Sequence, residues 1–183
     1  MGGPCWIIKP VPGENRMGKF PGPACTDNFQ ICQFVYKDEH YHSAEQAFQS
    51  RKFQSTSAAA RSLRRAAPRD GESSHDYGMR VWQLGQVRDP DFRPEWDSVS
   101  MEEMYLINVA KFAQNVSMQR ELIEETSDYE LRGAYSTADW EKWNGLIMLL
   151  IRRKITQGVD LSTETAVTAL EMESVAMSPL EDL

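Results

Sequence analysis

Apolar and polar positions change their spacing several times along the chain, and each change marks an element. Residues 29–42, FQICQFVYKDEHYH, are rich in β-branched and aromatic residues around a polar KDE, which predicts two short strands or a hairpin. Ser43 then stands where an N-cap belongs, and a helix follows with Ala44, Ala47, Phe48 and Arg51 beside a polar row. SAAARSLRRAA, residues 57–67, is a run of strong helix formers that Pro68 ends. PRDGESSHDYG reads as a loop, and MRVWQLGQVRDPDFRPEW as a short helix and a turn. Residues 98–115 place Met101, Met104, Tyr105, Ile107, Val109 and Phe112 in an amphipathic helical pattern, with Ser98 or Ser100 as the cap. MQRELIEET, residues 118–126, predicts another helix, and residues 136–155 open as a loop and end as a strongly apolar helix.

This pattern predicts an α+β protein: a mostly α-helical single domain with a small antiparallel sheet. The 183 residues are enough for one core. Residues 1–24 read as an irregular Gly/Pro-rich arm, 25–156 as the folded domain and 157–183 as an acidic, mobile tail in which AVTALEME can form a helical turn. No apolar run approaches the ~20 residues that span a bilayer. The first residues lack a basic stretch followed by an apolar one, so no secretory signal is expected. Cys5, Cys25 and Cys32 form no close pair, which predicts free thiols in the cytoplasm or nucleus.

Charge sharpens the picture. Residues 159–183 carry six acidic side chains and no Lys or Arg, so most of the net charge of −7 sits there. Residues 51–69 hold Arg51, Lys52, Arg61, Arg64, Arg65 and Arg69 with no acid among them. That run reads either as a solvated basic face or as a surface for phosphates.

Three side chains on the helix after Ser43 raise the chemical question. Glu45, Gln49 and Lys52 are spaced i, i+4 and i+7, which puts them within an arc of roughly 60° on one face. The spacing from Glu45 to Lys52 is too long for a simple intrahelical ion pair. The face is either a polar stripe toward water or three groups converging on a ligand. His40 and His42 alternate on a strand, but no third ligand stands at a recognised metal spacing, and no metal or cofactor is expected. There is no glycine-rich nucleotide loop and no nucleophile elbow. Trp82, Trp96, Trp140 and Trp143 fall in or beside predicted turns, where an indole either closes a core or stacks on a planar ring.

DNFQICQFVYKDEHYHSAEQAFQSRKF resembles the opening of the NADAR family, which includes the riboflavin-intermediate N-glycosidases. That opening reads S-N-F, a strand pair, then S-E-H-x-x-Q-x-x-K-F. Asn28 and Phe29 match its N-F, and Glu45, Gln49, Lys52 and Phe53 match E, Q, K and F in register, with Ala44 and Gln46 in place of the flanking Ser and His. Downstream, Gly85, Trp96, Met104, Lys111 and Phe112 resemble the family's G-R … W-x-x-x-K-x-x-x-M … K-F stretch. Leu122, Thr126, Trp140, Asn144, Leu146, Leu149 and Leu150 resemble its closing stretch, so the likeness runs over about residues 26–154. The family's G-R is Gly85-Gln86 here, so its phosphate-binding arginine is either lost or supplied by Arg88 or Arg93. The glycine-rich segment after the W-G is missing, Ile147 replaces a motif glycine, and Asp139 is the acidic residue beside Trp140.

The resemblance implies cleavage of an N-glycosidic bond between a ribose carbon and an exocyclic amine. It implies Glu45 as the acid/base and Lys52 as an imine former or electrostatic clamp. Substrate contacts would come from Asn28, Phe29, Gln49, Arg93, Trp96, Asp139, Trp140 and Asn144. The expected substrate is ADP-ribose on guanine in single-stranded DNA or RNA. The alternatives are a phosphorylated ribosyl-amino-pyrimidine of riboflavin synthesis, a non-catalytic ADP-ribose-binding module, and a plain nucleic-acid-binding protein.

Overall fold

The structure is a computed structural model and describes residues 3–88, 90–134, 136, 139–165 and 167–177. Of residues 170 and 175–177 it describes the backbone alone. Seven helices and two small antiparallel sheets surround one principal core among the described residues, as the α+β reading expects. The central helix α1 (Ala44–Arg51) is flanked by α2 (Ala58–Arg64), α3 (Ser74–Leu84) and α4 (Trp96–Gln114). The long pair α4 and α6 (Trp140–Thr156), with α5 (Val116–Thr126), closes the other side.

The 34–41 hairpin forms as its pattern predicts. Strand β3 (Phe34–Tyr36) pairs with β4 (Glu39–Tyr41), and both turn residues, Lys37 and Asp38, adopt positive φ. A two-residue turn with both φ positive matches the twist of the flanking strands. Ser43 caps α1 by accepting from the Gln46 N–H, and the Asn28 carbonyl accepts from the Glu45 N–H. Two of the four amides that a helix start leaves open are thereby satisfied.

Several boundaries move. The arm expected to be irregular contains β1 (Trp6–Pro10) and β2 (Met17–Pro21), which join β5 (Glu130–Arg132) in a sheet ordered β2-β1-β5. Strand β1 buries Ile7 and Ile8, and its neighbour Cys5 is fully enclosed. The Gly and Pro content around it had masked this short apolar run. Helix α3 begins at Ser74, inside the expected loop, because Ser73 accepts from the Asp76 N–H. Helix α4 begins at Trp96 with no side-chain cap, before either serine.

The acidic segment is packed where it is described. A 3-10 turn at Leu161–Thr163 and helix α7 (Ala169–Met177) lie on α4 and α6, and Leu161 and Met172 enter the core. Glu164 accepts from the Tyr105 hydroxyl at 2.8 Å and pairs with Lys154, while Glu173 pairs with Lys142. The charge that suggested a free tail is thus partly matched by basic groups on α6. Residues 178–183, with two of the six acids, lie outside the described residues. No described helix is long and apolar enough to cross a membrane.

One basic residue is built into the core. Lys111 of α4 is fully enclosed, and its Nζ donates to the carbonyl of Cys25 at 2.7 Å and to that of Asp27 at 3.3 Å. This ties the segment before Asn28 to α4. Burial lowers the Lys111 pKa, against the opposing influence of Cys32, Cys25, Asp27 and Cys5.

Lys111→Met should therefore lower stability by about 2–4 kcal/mol in urea unfolding, because two buried carbonyls lose a charged donor. The folded protein also binds fewer protons at this site than the unfolded chain between the lowered pKa and 10.5. Stability should rise with pH through that window and fall again toward the lowered pKa, and the methionine variant should lack this part of the profile.

Candidate active site

The polar face of α1 is inside the protein. Glu45 and Gln49 are 0% and 1% exposed, so the row is not a stripe toward water. The Gln49 Nε2 donates to Glu45 Oε1 at 2.6 Å, an i+4 contact that holds the carboxylate in place. The Gln49 carbonyl faces Gly85, the C-cap of α3: a Cβ there would fall 2.0 Å from Gln49 Oε1. The motif glycine is thus needed for close approach, and no phosphate contact has to be invoked to explain it. Gln49 Oε1 is buried and has no hydrogen-bond partner among the described residues.

Lys52 closes the row at the end of α1 and is half-buried. Its Nζ lies 5.9 Å from the centroid of the Phe48 ring. Burial lowers its pKa from 10.5, and the Glu45 charge opposes that shift. An amine destabilised in its charged form carries a larger neutral fraction near pH 7, which is what nucleophilic attack on a carbonyl-like carbon requires.

A loop pins the Lys52 end. The Lys52 carbonyl accepts from the Arg93 N–H at 2.8 Å, Gln54 N–H donates to the Asp91 carbonyl, and Phe53 meets Phe92 edge-on at 5.9 Å. Residues 91–93 therefore run along the chain that leaves α1. Arg93 is held inward: it pairs with Glu95 at 2.8 Å, donates to the Arg51 carbonyl at 3.1 Å and lies over the Trp96 ring at 5.6 Å. Arg88, the other candidate for the missing motif arginine, is exposed.

Phe48 is the junction of the aromatic groups. Its ring centroid is 4.9 Å from Trp96 and 5.0 Å from Trp140, the latter edge-on. Trp96 is only 5% exposed and is core material. Trp140 is half-buried. Behind α1, Asn108 donates to Asn28 at 3.0 Å and Asn28 donates to Asn144 at 3.1 Å, a buried amide relay joining α4 and α6 to the α1 entry.

The structure thus brings together Glu45, Gln49 and Lys52 on α1, links Asn28 to Asn144, and gathers Trp96, Trp140 and Arg93 around Phe48. Two candidates stand apart. Phe29 packs on Gly78 of α3, whose added Cβ would meet its ring at 2.1 Å, and lies 6.2 Å from the His75 ring. Asp139 is exposed before α6, and its side chain makes no cap there.

Two further residues support the site without having been singled out in the sequence. Glu103 is buried on α4 and accepts from Tyr36 Oη at 3.0 Å, Lys37 Nζ at 3.1 Å and Arg51 Nε at 2.7 Å, with Arg93 at 3.7 Å. Burial alone would raise its pKa, but Arg51 and Lys37 hold it below the usual range. Its signal was a carboxylate at i, i+4 from the core residue Ile107. Asn108 offered no such signal, since its partner Asn28 is 80 positions away. Among the described residues no three His, Cys, Asp or Glu side chains are grouped to hold a metal.

Gly85→Ala should displace the Gln49 amide from Glu45, because 2.0 Å is far inside contact distance. The expected result is a shifted Gln49 side-chain amide signal in a nitrogen–proton NMR spectrum, with the helical content preserved. An unchanged signal would show that Gln49 is not held by this contact.

The chain matches the NADAR domain over residues 18–140, from β2 to the first residue of α6. No curated protein sequence matches it. The NMR structure of the E. coli protein YbiA is similar in fold, with a TM-score of 0.54 and 19% identity over 73% of this chain and 79% of that one. NADAR proteins are generally N-glycosidases, which supports a glycosidase-type hydrolase at that coarse level. With the domain match covering well over half its length, this chain belongs to the NADAR family.

Proposed function

We propose that this protein hydrolyses the N-glycosidic bond that joins ADP-ribose to the exocyclic amine of guanine in single-stranded DNA or RNA. The observation that carries the reading is the enclosed Glu45–Gln49 pair on the same helix face as a half-buried Lys52 of lowered pKa. Structural glutamates are rarely buried at no exposure beside a partly desolvated amine, and perturbed groups of this kind gather at working sites.

The bond to be broken is a glycosylamine, whose ribose ring can open to an imine between C1′ and the amine nitrogen. Water then adds its hydroxyl to C1′, the C1′–N bond breaks, and the amine leaves with a proton. Glu45 is suited to take the proton from the attacking water and return it to the leaving nitrogen. Gln49 fixes Glu45 Oε1, so the carboxylate is oriented before substrate arrives. Lys52, where neutral, can replace the leaving amine at C1′ and form its own imine, which water later cleaves. Where charged, it instead steadies a phosphate or ribose oxygen. Half-buried Trp140 is the candidate ring for stacking, and Phe48 packs against both it and Trp96. Guanine in a nucleic acid is favoured over a ribosyl-amino-pyrimidine phosphate by the basic residues of α2, which follows α1 directly.

The test is release of ADP-ribose, read by mass spectrometry, from an oligonucleotide modified on one guanine, with a thymine-linked control and the ribosyl-amino-pyrimidine phosphate alongside. Release from guanine alone supports the proposal. Release only from the pyrimidine phosphate overturns it in favour of a riboflavin-pathway activity, and binding without turnover makes the chain an ADP-ribose-binding module. Glu45→Gln should lower turnover by about 10²–10⁴-fold, the range for loss of a general acid/base.

Borohydride trapping decides the role of Lys52. A trapped adduct that is lost in Lys52→Ala establishes the imine; an adduct that survives the substitution excludes it. Attack needs the neutral amine, so trapping should rise with pH and level off below 10.5. Glu45 holds the Lys52 pKa up, so Glu45→Gln should move that profile to lower pH.

A further inference from the structure

Beside the candidate active site the surface carries a hollow that the hydrolytic chemistry does not use. It has a volume of 470 Å³ and is lined by Ala58, Arg61, Ser62, Arg65, Ala66, Arg80 and Leu84. Three arginines thus line one space, and among the described residues no carboxylate lines it. Arg80 is held at one wall by Glu72, at 2.6 Å, and by the Ala67 carbonyl. Arg61 donates to the Thr56 carbonyl, and Arg65 is exposed at the end of α2. Glu72 offsets one of the three charges and leaves a net positive hollow.

The position of this hollow is fixed relative to the candidate active site. Gln46, on the helix that bears Glu45, donates from Nε2 to the carbonyls of Leu63, Arg64 and Ala66 at 2.9, 3.3 and 3.1 Å. The end of α2 is therefore tied to α1 through one buried amide. On the other wall, Leu84 precedes Gly85, which lies against the Gln49 side chain. The rim of the hollow is one residue away from the contact that orients the candidate acid/base.

We infer that this hollow holds the phosphodiester backbone of a single nucleic-acid strand, next to the nucleotide whose modified base enters the site. The inference rests on the hydrolase reading above. Arg61 and Arg65 are one helical turn apart, about 6 Å along the axis, so two neighbouring phosphates can each meet a guanidinium. The planar fork of arginine matches phosphate oxygens with paired hydrogen bonds. The floor of Ala58, Ser62 and Ala66 is small and carries no ring, so the contact is to backbone and indifferent to base sequence.

Fluorescence anisotropy of a labelled, unmodified single-stranded oligonucleotide tests this without any turnover. The doubly substituted protein Arg61→Glu/Arg65→Glu changes two exposed side chains, so its fold is expected to persist and is checked by circular dichroism. Affinity should fall at least tenfold at low salt. The slope of log affinity against log salt should become shallower by about 1.4, at roughly 0.7 for each phosphate contact removed from a single strand. In parallel, kcat/KM should fall for the modified oligonucleotide and stay unchanged for ADP-ribosyl-guanosine.

Equal oligonucleotide binding by both proteins overturns the inference, whatever the turnover result. Loss of affinity for free ADP-ribose in the variant also overturns it, since the arginines would then hold the pyrophosphate. Tighter binding of an oligo-glutamate peptide than of the oligonucleotide overturns it in favour of an acidic protein partner. Groove-dependent strand binding without release of ADP-ribose leaves the groove standing and removes the hydrolase reading instead.

Discussion

A carboxylate with no solvent exposure is the constraint around which this protein is arranged. Placing Glu45 at the centre of the molecule requires hydrogen-bond donors that are held in place, because an unmatched buried charge is expensive. Helix α1 meets that requirement from within, through Gln49, and its own start is secured by Ser43 and the Asn28 carbonyl. Every residue from Ser43 to Ser50 is buried, so α1 is enclosed on all sides although more than half of its side chains are polar. A helix of that kind is stable only where the surrounding elements are positioned to pair with it.

The neighbours do so with specific groups. Gln46 satisfies the carbonyls at the end of α2, Gly85 leaves room for Gln49, and the Asn108–Asn28–Asn144 relay joins the two long helices to the entry of α1. Lys111 binds the carbonyls just ahead of Asn28. Glu103 gathers Tyr36, Lys37 and Arg51, so the hairpin and the end of α1 share one buried carboxylate. Polar networks in a poorly solvated interior fix geometry tightly when every member is satisfied. Among the described residues Gln49 Oε1 and Asn108 Oδ1 are exceptions within this network, and the Gln49 side chain lies beside the candidate acid/base. An acceptor that protein leaves unmatched in such a place is consistent with a site that completes itself on a ligand.

The division of labour follows from this arrangement. The enclosed face of α1 presents the groups suited to proton transfer and nucleophilic attack. Phe48, Trp96 and Trp140 form an aromatic cluster in which Phe48 and Trp96 are buried and Trp140 is half-buried. Arg93, expected to stand in for a missing phosphate ligand, is instead committed to Glu95 and the Arg51 carbonyl, and it stiffens the loop over Lys52. Two exposed arginines, Arg61 and Arg65, stand instead on α2 and at its end.

Local pattern in the chain was enough for the hairpin, the Ser43 cap, the apolar helices and the alignment of Glu45, Gln49 and Lys52, since each depends on residues within a few positions of one another. The family motif added Asn28, Gly85 and Lys111, but as letters without contacts. Tertiary structure decided which way the α1 row faces: an all-round buried helix has no apolar stripe to distinguish inside from outside, so its periodicity fits water as well as core. It also decided that the first strands and the acidic segment belong to the packed domain, because β1 needs β5 from 120 residues later and Glu164 needs Tyr105 and Lys154. Glu103, Asn108 and the arginine-lined hollow were illegible for the same reason. Their partners are assembled from distant segments, and only the folded chain sets a guanidinium of α3 opposite those of α2.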